Sequence, residues 1–245
     1  MGSLSQGTGA LLSPYDQSFG LPGVPNDGFL YFDTETLNAY TKAFESVGFQ
    51  LHFHVTGDRG ARIALDTIEQ SSADSTQSRH RLTHLYLIDE ADRGRFAPLN
   101  VVADFQFSIA SVEDEYFDYM TPFIGNRADQ LLPLFEMVAS DATVTLSSDY
   151  DADEVSPLAK IETVLQYDED AELTVEDVVR LMTLNVAYLL HQEDVTGSIE
   201  VGKFADLVVI DRDITAVPIN NISRAKVLLT ILEGEVVYQD PAAPQ

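Results

Sequence analysis

The sequence predicts an α/β fold of parallel βαβ units up to about residue 149, followed by a short β-rich tail. Three observations carry this. Apolar stretches of strand length alternate with stretches of helical period. One strand-to-strand step takes roughly 30 residues, the size of a βαβ unit. Beyond Asp149 the alternation stops, and closely spaced apolar runs follow a last helix.

Residues 1–33 are rich in Gly, Pro, Ser and Asp without a period, and read as a long loop. In a compact domain such a loop is usually functional, or it marks a missing element. Leu37, Tyr40, Phe44 and Val47 then recur at steps of three and four, and Gly48 ends that helix. A strand is expected over 49–55. A second helix starts near Arg59 and carries Ile63, Leu65 and Ile68. The polar run 71–79 separates it from a strand over 82–88. A short helix over 89–96 and a strand over 101–107 come next. Residues 111–127 read as an acidic, aromatic loop, 129–140 as a helix with Pro133 in its first turn, and 143–147 as a strand. A helix carrying Val178, Leu181, Met182 and Leu189 runs after Thr174, a good N-cap residue with acids in the first turn. Residues 207–210, 227–232 and 236–238 read as strands of a small sheet, with a turn at Glu233-Gly234.

The chain has 245 residues, 45% of them hydrophobic, enough for one sizeable core. Fourteen Lys and Arg face 40 Asp and Glu, for a net charge of -26. A field of that sign repels phosphate backbones and anionic lipid surfaces, so neither a nucleic-acid nor a membrane partner is expected. Solubility or a high-salt habitat accounts for the charge, and attraction of cations is the functional alternative. The absence of cysteine excludes disulfides, thiolate ligands and cysteine nucleophiles within the chain. No run approaches the roughly 18 apolar residues of a membrane span. The first residues have neither the basic start nor the apolar stretch of a signal peptide. The compartment stays open, with the cytoplasm favoured.

Five histidines are present, at 52, 54, 80, 84 and 191. His54 ends the first predicted strand and His84 lies in the second, 30 residues on; Asp149 ends the fourth, 65 residues further. In a parallel barrel the strand C-termini form the active face, so these three groups could converge there on a zinc-like divalent ion. A single strand histidine is more commonly a hydrogen-bonded core residue than a ligand; order and spacing are what raise the case. His52 and His54 form an H-x-H pair that alternation puts on one side. Both could chelate one ion; His54, nearer the strand end, is the better candidate to reach the site alone, with His52 as a possible further ligand. His80 precedes its strand and is expected to be exposed. His191 ends a helix, where its role reads as structural. No G-x-S-x-G turn, P-loop or G-x-G-x-x-G fingerprint occurs.

The blocks LHFHVTGDRGARIALDTIE, RHRLTHLYLID, TLSSD and GSIEVGKFADLVVIDRD resemble, in that order, amidohydrolase family 3. This is the branch of the metal-dependent amidohydrolase superfamily that includes N-substituted formamide deformylase-like enzymes. The resemblance covers nearly the whole chain and implies the C-terminal half of a TIM-like (β/α)8 barrel, about four βα units over 1–195. Residues 196–245 would supply the C-terminal strands of a small β-sandwich domain. It further implies His54 and His84 as metal ligands on the fifth and sixth barrel strands. Asp149 would be the aspartate ending the eighth, a ligand that also takes a proton from the attacking water. The function implied is hydrolysis of non-peptide carbon–nitrogen bonds in amide-, formamide- or imide-like small molecules, with a divalent metal, zinc by expectation.

The chain departs from the family pattern at several points. The family's first-strand H-x-H lies upstream of these blocks, yet no residue before Gly48 is a histidine. The lysine that often bridges two metals has no counterpart, since the first lysine is Lys42, in a helical stretch. Gln106-Phe107 stands where Gln-Pro is common, and Ser147 where Gly is common before Ser148-Asp149. The start, MGSLSQGTG, resembles the stretch after the fourth strand, so the chain is expected to begin in mid-barrel. Two readings follow: a metal-dependent hydrolase of which this chain is the whole or a large part, or a truncated or half-barrel remnant without activity of its own that acts only with a partner chain. A homo-oligomer or a missing N-terminal half would cover the open barrel edges.

Overall fold

A computed structural model describes residues 2–71, 77–107, 112, 114–150, 155–168 and 173–241. Two compact units emerge. The first runs through Gln106 and resumes up to Thr145; the second starts at Leu146 and takes in Phe107.

The first unit is built of βα repeats. After the irregular N-terminal stretch come α1 (Thr34–Glu45), β1 (His52–Val55), α2 (Asp58–Ser71), β2 (Arg81–His84), α3 (Glu90–Arg93) and β3 (Val102–Phe105). Then follow α4 (Asp114–Ile124), a 3-10 stretch Gly125–Gln130, α5 (Leu134–Ala139) and β4 (Val144–Leu146). The sheet runs β1-β2-β3-β4 in chain order, with β1–β2 and β2–β3 parallel. Consecutive parallel strands joined by helices are the connectivity of a (β/α) barrel segment. α2 turns Ala61, Ala64, Leu65 and Ile68 inward; of the residues the sequence singled out, Leu65 and Ile68 are buried and Ile63 is half-buried. Burying Leu65 or Ile68 is worth roughly 1.5–3 kcal/mol each.

Several expectations need correction. The strands are shorter than the apolar runs. β2 ends at His84 because the backbone turns left-handed there (φ 73) and at Leu85 (φ 50). The acidic, aromatic "loop" is largely α4, with Asp114–Ile124 helical; residues 111 and 113 lie outside the described residues, as do 72–76 of the polar run. Met120 and Ile124, one helical turn apart, close a core with Leu4, Leu11, Tyr15 and Leu87. Acids interleaved with aromatics, and Pro122 inside the helix, hid that period. The helix expected at 129–140 starts only at Leu134, with Pro133 at its N-cap. The apolar stripe of α1 is real, but Tyr40, Phe44 and Val47 are exposed and only Thr41 is buried.

His80 is buried, not exposed. Its Nδ1 accepts from the Leu51 backbone N–H at 2.9 Å, so its Nε2–H points to Glu45 Oε1 at 2.7 Å. The ring thereby ties the end of α1 to the strands on either side of it.

In the second unit, α6 (Pro157–Tyr167), α7 (Val175–Met182) and α8 (Leu184–Leu189) precede an antiparallel sheet of β5 (Leu207–Ile210), β6 (Val227–Leu232) and β7 (Glu235–Gln239). α6 was not anticipated, although Ser156 caps it and Pro157 opens it. The single helix expected after Thr174 breaks at Thr183 (φ -124, ψ -80). Buried Lys160 donates from Nζ to the Phe107 carbonyl at 2.8 Å. No described helix is long and apolar enough to cross a membrane.

The N-cap of α7 is a reciprocal capping box between Thr174 and Asp177. The Thr174 hydroxyl and backbone bonds hold the Asp177 carboxyl below its ordinary pKa. That contribution is complete above the ordinary aspartate pKa and is lost as pH falls through the depressed value. Thr174→Ala should cost about 1 kcal/mol in urea unfolding at neutral pH, and the difference from the parent should shrink in acid.

Candidate metal centre

Alternation along β1 buries Phe53 and Val55 and leaves His52 and His54 exposed on the opposite face. Parallel register sets His52 against Arg81, His54 against Thr83 and Val55 against His84. Arg81 reaches back to His52 and Thr83 reaches across to Asp104, which is in register with it on β3. His54, Thr83 and Asp104 therefore share one face of the sheet. By the same alternation, His84 should point to the other face.

It does not, because of its backbone. With φ at 73, His84 leaves the strand geometry, and its imidazole comes to lie with a ring centroid 4.3 Å from that of His54, at 63° between planes. A non-glycine residue in this region costs on the order of 1–3 kcal/mol, so the surroundings must hold it. The His84 N–H donates to Gln106 Oε1 at 2.9 Å, and the Leu85 N–H to the Val55 carbonyl at 2.8 Å. Gln106 is itself fixed: Nε2 donates to Thr83 Oγ1 at 2.6 Å and to Asp104 Oδ2 at 3.2 Å. Asp104 is buried and also accepts from Thr83 Oγ1 at 3.0 Å and Thr145 Oγ1 at 2.9 Å. A polar layer spanning β2, β3 and β4 thus underlies the histidine pair. Tyr86 stacks on His84 with centroids 6.3 Å apart, and Tyr116 meets Tyr86 at 5.8 Å. Burial raises the Tyr116 phenol pKa, which keeps that ring neutral.

The Thr56-Gly57-Asp58-Arg59 block fastens the N-terminal loop beside the end of β1. Thr56 Oγ1 donates to the Gly2 carbonyl at 2.8 Å. Asp58 Oδ1 accepts from the Leu12 and Arg59 backbone N–H groups, both at 2.8 Å. Burial pushes the Asp58 carboxyl up in pKa, against the lowering by those two amides. The Arg59 guanidinium bonds Asp27 Oδ2 at 2.7 Å and the Asp27 and Gly28 carbonyls at 3.1 Å. Arg127 holds the same loop from beyond the end of α4 through the Ser13 and Pro14 carbonyls, both at 2.8 Å.

Of the residues singled out in the sequence, His54 and His84 come together. Two imidazoles this close suit two positions of one divalent cation's coordination shell, the nitrogen donors zinc favours. Among the described residues, no cluster of three or more histidine, aspartate and glutamate side chains stands ready to hold a metal ion. Asp149 follows β4 in the second unit, exposed and left-handed at φ 53. His52 Nδ1 accepts from Arg81 at 2.9 Å. Desolvation, then the Arg81 charge, lowers its pKa, so the ring is held neutral with its remaining nitrogen protonated. His191 is exposed, with φ 57, just past α8. Thr83, Asp104, Tyr86 and the role of Gln106 escaped the sequence reading. Buried polar residues inside apolar strand runs were the available signal.

Consecutive parallel strands joined by helices define a segment of a (β/α)-barrel protein. Fold comparison agrees. An uncharacterised metal-dependent hydrolase from Pyrococcus horikoshii OT3 superposes with a TM-score of 0.73 at 22% identity, over 89% of this chain and 44% of its own. The chain belongs to the Amidohydrolase family, whose sequence model matches residues 1–238. It is similar to N-substituted formamide deformylase of Arthrobacter pascens, at 27% identity over 79% of this chain and 37% of that protein. It is also similar to the putative amidohydrolase YtcJ of Bacillus subtilis, at 23% identity over 97% and 46%. The chain thus spans less than half the length of these relatives.

Gly57 has no room for a side chain, since a Cβ there would collide with the Ala10 carbonyl oxygen. Gly57→Ala should displace the N-terminal loop and cost about 1–3 kcal/mol, in the range of overpacked sites. Chemical denaturation, with limited proteolysis within residues 1–33, measures both effects.

Proposed function

We propose that this protein is a metal-dependent hydrolase of non-peptide carbon–nitrogen bonds in amide-, formamide- or imide-like small molecules. The observation that carries the reading is the His54–His84 pair at the ends of adjacent parallel strands. Likeness to the formamide deformylase supports the substrate class. His54 and His84 would supply neutral nitrogen donors to one divalent cation, with zinc as the favoured ion. Such a cation, when bound, supplies Lewis acidity to a substrate carbonyl and to water. Asp149 is assigned as the third donor and as the base that takes the proton of the attacking water. His52 stays outside the set, because Arg81 occupies one nitrogen and the other carries the proton. Residues 1–195 are assigned to the barrel and 196–245 to the small β domain.

The reading is tested by assaying the purified full chain against a panel of N-substituted formamides, amides and cyclic imides. Activity should vanish with a chelator and return with zinc. His54→Ala, His84→Asn and Asp149→Asn should each lower kcat by about 100-fold or more. Hydrolysis that survives both chelator and Asp149→Asn would move the chemistry to another site.

A second reading has its own support. β1 and β4 are the edge strands of an open four-stranded order, and a parallel edge invites pairing with another strand. In this reading the chain works only after its sheet is continued by a second copy or by a partner chain. Light scattering at micromolar concentration should then show an associated species, and activity should track that species across a dilution series. A compact, stable monomer would rule it out.

A further inference from the structure

We propose that Gln106 is a positioning residue: its carboxamide holds the left-handed turn at His84 that swings the imidazole onto the face occupied by His54. The functional meaning rests on the metal reading of that pair; the geometric claim does not.

The starting point is that His84 sits on the wrong parity. Thr83, its neighbour, already shares a face with His54 and Asp104. A regular strand would carry the next side chain to the helix side. Only the excursion to φ 73 brings the His84 ring within 4.3 Å of His54. Such a backbone persists only where its surroundings hold it. At this turn the His84 backbone N–H donates to a side-chain acceptor. Gln106 Oε1 meets it at 2.9 Å from a side chain only 8% exposed.

The direction of the carboxamide is dictated from below. Thr83 Oγ1 donates its hydrogen to Asp104 Oδ2, which leaves its lone pairs for Gln106 Nε2. Asp104 Oδ2 accepts from the same nitrogen. Both neighbours therefore require the NH2 end, and the oxygen must face His84. A flipped amide would put oxygen against a buried carboxylate and a donor against a donor. The chain of control runs from Asp104 and Thr83 through Gln106 to the His84 backbone, and so to where the imidazole stands.

Gln106→Met is the test, because it keeps length and volume while removing the strong acceptor. Two readouts are taken on the full chain. With histidine-labelled, metal-free protein, the nuclear Overhauser contact between the His54 and His84 rings should be present in the parent and lost in the variant. Zinc titration by calorimetry should show affinity weakened by about tenfold or more, the scale of losses when contacts behind a ligand are removed. Ile68→Val, in the core of α2 away from the pair, should change neither. If Gln106→Met does not fold, Thr83→Val, which removes the acceptor 2.6 Å from Nε2, should give the same two changes in weaker form. A ring contact absent from the parent, or a variant that keeps it, would overturn the proposal; unchanged zinc affinity after its loss would overturn its functional meaning. A parent that binds no zinc, with the ring contact still lost in Gln106→Met, would sink the metal reading and leave the positioning role standing.

Discussion

In-register pairing of Val55 with His84 is the constraint on which the centre depends. It sets the end of β1 beside the end of β2, one residue offset from His54. The offset would separate the two rings by the thickness of the sheet if both strands stayed regular. The left-handed step at His84 removes that separation. The neighbouring parts of the first unit support this step. The polar layer of Thr83, Asp104, Gln106 and Thr145 occupies the face below the rings, where apolar packing could not have supplied a directed acceptor. A buried polar layer is stable only if it is fully bonded, and here each member has a named partner.

Much of the frame was legible from periodicity. The order of the four parallel strands and the return to a small sheet follow from the spacing of the apolar runs and of Ile63, Leu65 and Ile68, whereas α4 and α6 did not. His54 was legible as a strand-end residue, and His84 as a residue within the next strand. The features that stayed hidden had physical causes. His84 reads like an ordinary strand residue, because nothing in a linear string announces a positive φ at a non-glycine position. α4 was missed because its acids, Asp114, Glu115 and Asp118, are interleaved with aromatics and Pro122 lies inside it, so no clean three-to-four-residue period stands out around Met120 and Ile124. His80 looked exposed because its partner, Glu45, lies 35 residues earlier. Burial of a polar ring depends on that distant contact.

The two units use their polar groups differently. In the first, aspartates and arginines knit loops to strand ends: Arg62 bridges Asp89 and Asp92, and Arg95 joins Asp92, Asp66 and Glu69. These pairs are partly exposed, so each adds little alone and the network gains mainly in orientation. In the second, much of the small sheet is open, with Val208, Leu232, Val236 and Val237 more than half exposed. Its order comes from the ladder and from Asp211, whose carboxylate binds Arg212 and the Lys226 backbone. That sheet is held by its edges more than by a core.

The N-terminal loop is anchored largely through main-chain atoms. Asp58 receives the Leu12 amide, Arg59 takes the Asp27 and Gly28 carbonyls, and Arg127 takes the Ser13 and Pro14 carbonyls. Peptide groups are the same whatever side chain they carry. The side chains at 12 and 13 can therefore drift without releasing the grip, apart from a proline at 12, which would delete the donor. Gly28 has no such latitude, because a Cβ there would strike the Gly9 carbonyl. Such a loop is a natural place for a lineage to explore new surface chemistry near the strand ends. Its placement is inherited from Asp58, Arg59 and Arg127, and much of its composition is left open to selection.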